Sequence, residues 1–187
     1  MFPISKRIFL LLMICVLYQG VEGLTKNLTV NANFEIHLNV YEDVDHTIPV
    51  TELSSIDTNQ HVYLKAEVKH MTDAQLDLFP TFCFATPSAD DEDTVSYPLL
   101  DNGCSNSSYV TDISTDSALQ NPNFRFTTKV FRFTQADSDS IYFHCDVTIC
   151  QNGTCAIPSA CPDVVSRRKR STSLMSKRIS ARLIVQE

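Results

Sequence analysis

Apolar and polar residues alternate with a period of two in several stretches of this chain, the pattern of strands that bury one face. Phe34, Ile36, Leu38 and Val40 alternate with Glu35, His37 and Asn39, which predicts a first strand, and Asp43–His46 reads as a turn. Val62, Leu64, Ala66 and Val68 alternate with Tyr63, Lys65, Glu67 and Lys69, which predicts a second. Leu76 to Thr86 is an apolar run interrupted by Pro80. Proline has no amide donor, so this strand is expected to be bent or to lie at a sheet edge. Shorter runs follow at Thr94–Leu100 and Tyr109–Ile113. Phe124, Phe126, Val130, Phe131 and Phe133 form a longer run whose phase switches between Val130 and Phe131, where a bulge is expected. Ile141, Phe143, Cys145, Val147 and Ile149 then alternate with Tyr142, His144, Asp146 and Thr148. No stretch has the period of an amphipathic helix. The pattern predicts an all-β antiparallel sandwich in one domain.

The N-terminus departs from this pattern. Lys6 and Arg7 precede a continuous apolar run, Ile8 to Leu17, and Val21-Glu22-Gly23 supplies a small-residue cut position after Gly23. This is the layout of a secretory signal peptide over residues 1–23. A buried core helix is the other reading, but nothing precedes the run to cover it. The run is short for a bilayer, which takes about 20 apolar residues. No later stretch reads as a transmembrane helix or lipid-anchor signal. A secreted product without a membrane anchor is expected.

Secretion changes the reading of the cysteines. Without Cys15 of the leader, six remain: Cys83, Cys104, Cys145, Cys150, Cys155 and Cys161. An even number in an oxidising compartment implies three disulfides, with fifteen pairings open by spacing alone. No CxxC pair favours zinc, so no metal and no cofactor are expected. On the strand reading, Cys145 points inward and Cys83 lies in a strand expected to face it, so a bond between them would bridge the core. Cys150 and Cys155 flank the turn sequence Gln151–Thr154 and would close a small hairpin. Cys104 and Cys161 would then tie the loop after Asn102-Gly103 to the end of the domain. Three N-glycosylation triplets begin at Asn27, Asn106 and Asn152.

Charge divides the chain. From Leu24 to Ser166 there are 20 acidic and 6 basic side chains; from Arg167 to Glu187 there are 7 basic and 1 acidic. An acidic body argues against nucleic acid as a partner. Asp90-Asp91-Glu92-Asp93 lacks the spacing of a calcium loop and reads as solvated. Arg167-Arg168-Lys169-Arg170 suits the acidic subsites of a furin-type convertase cutting after Arg170; a heparin-binding patch is the alternative. Lys177-Arg178 is a weaker dibasic site. Beyond the cut, Ile179 to Val185 reads as one more strand, with Ile179, Leu183, Ile184 and Val185 apolar. A strand placed after a processing site can complete a sheet before cleavage and leave an open edge afterwards; a disordered remnant is the alternative.

Several of these stretches, taken in order, resemble a known family. They are Cys83-Phe84-Ala85-Thr86-Pro87-Ser88, Tyr97–Cys104, Phe131-Arg132-Phe133, Ile141–Cys150 and the tetrabasic run. Together they resemble the C-terminal half of a zona pellucida module, over roughly Phe34 to Val185. The resemblance implies an immunoglobulin-like sandwich with bonds Cys83–Cys145, Cys104–Cys161 and Cys150–Cys155. It implies a domain over residues 24–166, a cleavage site at 167–170, and a propeptide over 171–187 that carries an external hydrophobic patch. It also implies assembly with other zona pellucida modules once a convertase releases the patch. The chain has Phe84 where the family has tryptophan, and it is expected to lack the module's N-terminal half and an anchor. The function expected is that of a secreted structural matrix protein, of an egg coat or an apical matrix. The alternative is a module that modulates filaments without polymerising. A precursor of a bioactive tail peptide is a lesser reading. No Ser-His-Asp or GxSxG pattern occurs, so no catalytic residues and no enzyme are expected.

Overall fold

The computed structural model describes residues 35–51, 54–69, 76–116, 122–136, 138–151, 154–155, 161 and 173–185. The leader, Asn27, Asn152 and Arg167–Arg170 lie outside them. The described residues form strands joined by turns: β1 (Glu35–Tyr41), β2 (His61–Lys69), β3 (Leu76–Thr86), β4 (Tyr97–Asp101), β5 (Cys104–Ser105), β6 (Val110–Asp116), β7 (Asn123–Lys129), β8 (Ser140–Gln151) and β9 (Ser173–Ile184). Two antiparallel sheets result, of order β1-β2-β7-β6 and β5-β4-β3-β8-β9. The all-β sandwich expected from the alternation is the fold observed.

The alternation explains the core. Val62, Leu64, Ala66 and Val68 of β2 are fully buried, and in register Ala66 and Leu64 sit beside Phe124 and Phe126 of β7. Ile141, Phe143, Cys145, Val147 and Ile149 of β8 supply the second sheet's inner face. A two-residue period places one side of each strand in this interior.

The cystines brace the second sheet. Cys83 pairs with Cys145, Cys104 with Cys161 and Cys150 with Cys155, at Cα separations of 4.2, 5.3 and 5.4 Å. The expectation that Cys83–Cys145 bridges the two sheets is corrected. β3 and β8 are neighbours in one sheet, and the two cysteines stand directly opposite each other in register. Their short Cα separation suits a pair that exchanges no backbone hydrogen bonds.

Two further expectations change. Of the two expectations for Pro80 the edge is not met, for β3 lies between β4 and β8, while the register shift beside Pro80 is the irregularity expected of a bent strand. Pro80 is tolerated because β4 pairs β3 only from Phe82 onward, while the register against β8 shifts between Pro80 and Phe82. The bulge expected between Val130 and Phe131 is absent because β7 ends at Lys129. Val130 exchanges backbone hydrogen bonds with the turn before β2, at Asn59 and Gln60. Phe131 then turns into an aromatic group with Tyr97, Tyr109 and Phe133. The switch of phase therefore marks where the chain leaves the sheet.

Candidate functional site: the last strand and its seam

β9 is one of the two edge strands of the five-stranded sheet. It runs antiparallel to β8 from Ser173 opposite Cys150 to Ile184 opposite Ser140. The strand starts six residues before the predicted Ile179. Inward, Ile179 is nearly buried and Leu183 wholly so, followed by Val185; Ile184 is only half-buried. Leu183 and its neighbours therefore belong to the shared core, and β9 also lies against β1 of the opposite sheet.

The outward side of the seam is polar. Across β8, Thr148 meets Ser176 at 3.0 Å, Asp146 meets Arg178, and His144 meets Ser180 at 2.7 Å. His144, expected on a solvated face, is 0 % exposed. Phe84 stacks on one side of its ring at 5.0 Å, Thr86 contacts Nε2 at 2.7 Å, and Ser180 closes the Nδ1 side. Thr86 gives its hydroxyl proton to the Ser88 carbonyl, so it accepts from Nε2–H, and Nδ1 accepts from Ser180. Burial disfavours the charged ring, so these bonds correspond to the neutral tautomer with its proton on Nε2.

Arg178 is held from three sides. Its Nε and one Nη donate to the two carboxylate oxygens of Asp146 at 2.6 and 2.8 Å, and the other Nη donates to Asp91 at 2.7 Å. The guanidinium lies 5.5 Å from the Phe84 ring centroid. These contacts hold Arg178 firmly protonated and draw the Asp91 carboxyl below its ordinary range, chiefly through the hydrogen bond from Arg178. The acidic loop, expected to be merely solvated, thus reaches the last strand. In sequence Arg178 reads as half of a dibasic pair, and the alternation of Ser176, Arg178, Ser180 and Arg182 is the signal that it belongs to the outward face of a strand.

Among the described residues no His, Cys, Asp or Glu group has the arrangement to hold a metal ion, and no helix is long and apolar enough to cross a membrane. The seam is built by two strands, an acidic loop and an aromatic ring. Residues 30–162 match the family model of the zona pellucida ZP-C domain. The chain belongs to the zona pellucida family. Zona pellucida sperm-binding protein 4 of Felis catus is 31 % identical over 129 residues, which is 60 % of this chain and 22 % of that protein. Pancreatic secretory granule membrane major glycoprotein GP2 of Homo sapiens is 25 % identical, over 71 % of this chain and 24 % of its own length. Uromodulin of Rattus norvegicus is 26 % identical, over 70 % and 20 %. The chain spans about a quarter of the length of these curated relatives. Membership in the zona pellucida family, with three cystines, places the domain outside the cytosol.

In this ZP-C domain Phe84 backs both His144 and Arg178. Asn106 is exposed in the β5–β6 connection. The seam also makes a pH prediction. Burial, opposed by Asp91 and reinforced by Arg178, lowers the His144 pKa below the ordinary 6.5. A released strand would let that imidazole regain its ordinary affinity for a proton. The docked form therefore binds fewer protons, and its advantage is full above pH 6.5 and falls as the pH drops below it. Amide exchange along β9, corrected for intrinsic rates, is expected to be faster at pH 5 than at pH 7.5. Unchanged protection would show that His144 does not contribute to the docking.

Proposed function

We infer that this chain is a secreted structural component of an extracellular matrix, of the kind found in egg coats or apical epithelial matrices. It assembles with other zona pellucida modules and stays unassembled until a furin-type convertase cuts after Arg170. The observation that carries this reading is the place of β9. The strand follows the basic run Arg167–Arg170 in sequence and is also an outermost strand of its sheet. Cutting the chain there leaves β9 held to the body by the noncovalent contacts of the seam, since residues 171–187 contain no cysteine. Its departure would uncover the backbone edge of β8, a template for another strand. The apolar side chains Ile179, Leu183 and Val185, rather than Ile184, make the patch that keeps that edge covered.

The Arg170→Ala chain is expected to be secreted at its full length after the leader, while the natural chain is secreted as a body ending near Arg170. Mass spectrometry of the two secreted products reads this directly. A natural chain secreted with its tail still covalently attached would refute processing. Cut chain that co-sediments with matrix filaments as a stable part supports the structural role. Cut chain that stops filament growth would instead make it a modulating module.

A further inference from the structure

The groups that hold Arg178 all belong to the body. Asp146 is on β8, Asp91 is in the β3–β4 connection and Phe84 is on β3. They would stay behind when β9 leaves. The connection has its own scaffold: Asp90 accepts from the Glu92 amide at 3.0 Å, and Asp93 accepts from the Val95 amide at 2.9 Å and from the Ser88 hydroxyl at 2.5 Å. The loop that carries Asp91 is thus held by bonds that do not involve Arg178.

This arrangement is selective for a guanidinium. The planar fork of arginine donates two parallel bonds to one carboxylate, a third to another, and lays its face on an aromatic ring. A lysine ammonium is a point charge and cannot form the parallel pair. The acidic body adds attraction for a cationic segment. Two residues farther along an incoming strand, His144 Nδ1 requires a hydroxyl donor, because alanine there would leave a buried acceptor unpaired.

Resting on the reading that β9 is released, we propose that the vacated Asp91–Asp146–Phe84 socket binds an arginine of another protein chain. That arginine is presented on an extended segment along β8, with serine or threonine two residues after it. Register enforces the spacing: shifting the arginine by one residue turns it toward the core.

The test uses the convertase-cut secreted chain and a labelled peptide unrelated to β9, Thr-Val-Arg-Val-Ser-Val-Thr. Fluorescence anisotropy is expected to show binding, weakened roughly tenfold when the arginine is replaced by lysine. Binding is expected to be lost when the arginine is moved by one position. Asp146→Asn in the protein is expected to reduce the arginine peptide to the level of the lysine peptide. Equal binding of the three peptides, or no binding to a chain shown by mass to have lost its tail, overturns the proposal. If the cut chain keeps its tail, the release reading fails by itself. The socket is then read by whether excess arginine peptide, and not the lysine peptide, displaces the tail; no displacement overturns it.

Discussion

Leu183→Asp, placed in an Arg170→Ala chain that is not cut after residue 170, is expected to detach β9 and make the uncut protein self-associate. Leu183 is fully buried between the sheets. Truncating such a side chain typically removes about 2–5 kcal/mol, and a carboxylate in its place adds the cost of a buried unpaired charge. β9 lies at an edge, so that loss falls on the docking of one strand, while the cystines continue to hold the body. The matching control is Ile184→Asp. Ile184 is only half-buried, so its carboxylate can reach water and the effect should be much smaller. Light scattering of the secreted proteins measures the outcome. Monomeric Leu183→Asp protein with β8 amides as protected as in the parent would mean that β9 is not what restrains association.

Loss of the Cys83–Cys145 bond has the larger expected effect on the fold itself. The bond spans 62 residues, and removing a closure of that length relaxes the unfolded chain by about 4 kcal/mol in the chain-entropy account. Native domains have only about 5–15 kcal/mol in total. Both cysteines are 0 % exposed, so alanines in their place also leave a gap in the core. The double Cys83→Ala, Cys145→Ala chain is expected to be nearly absent from the medium. The Cys150–Cys155 bond closes a separation of only 5, so the double Cys150→Ala, Cys155→Ala chain should lose about 2 kcal/mol, with secretion reduced but retained. Secreted yield and the thermal midpoint of whatever is secreted distinguish the two. Equal losses would show that loop length does not govern these cystines.

Much of this was legible in the chain because strand alternation is local. Every second residue from Val62 to Val68 and from Ile141 to Ile149 is apolar, and those residues are the interior. The three disulfides followed from six cysteines in a secreted context. Local pattern gives no information on which strands lie side by side. That is why Cys83–Cys145 was expected across the sandwich, and why Pro80 suggested an edge. Burial on an outward face was equally hidden. His144 and Glu67 occupy polar positions of their alternations, yet both are buried because neighbours cover them. Glu67 is covered while paired with Lys65 and Lys69 on its own strand.

The sequence by itself determined the class of fold, the inward residues, the oxidised compartment and the existence of a final apolar strand. These depend on residue type and on spacing over a few positions. Tertiary structure alone decided that Arg178 meets Asp91, 87 residues away in the chain, over the ring of Phe84. A contact of that range depends on the order of strands in the sheet, which is set by how the whole core packs rather than by any segment's own pattern.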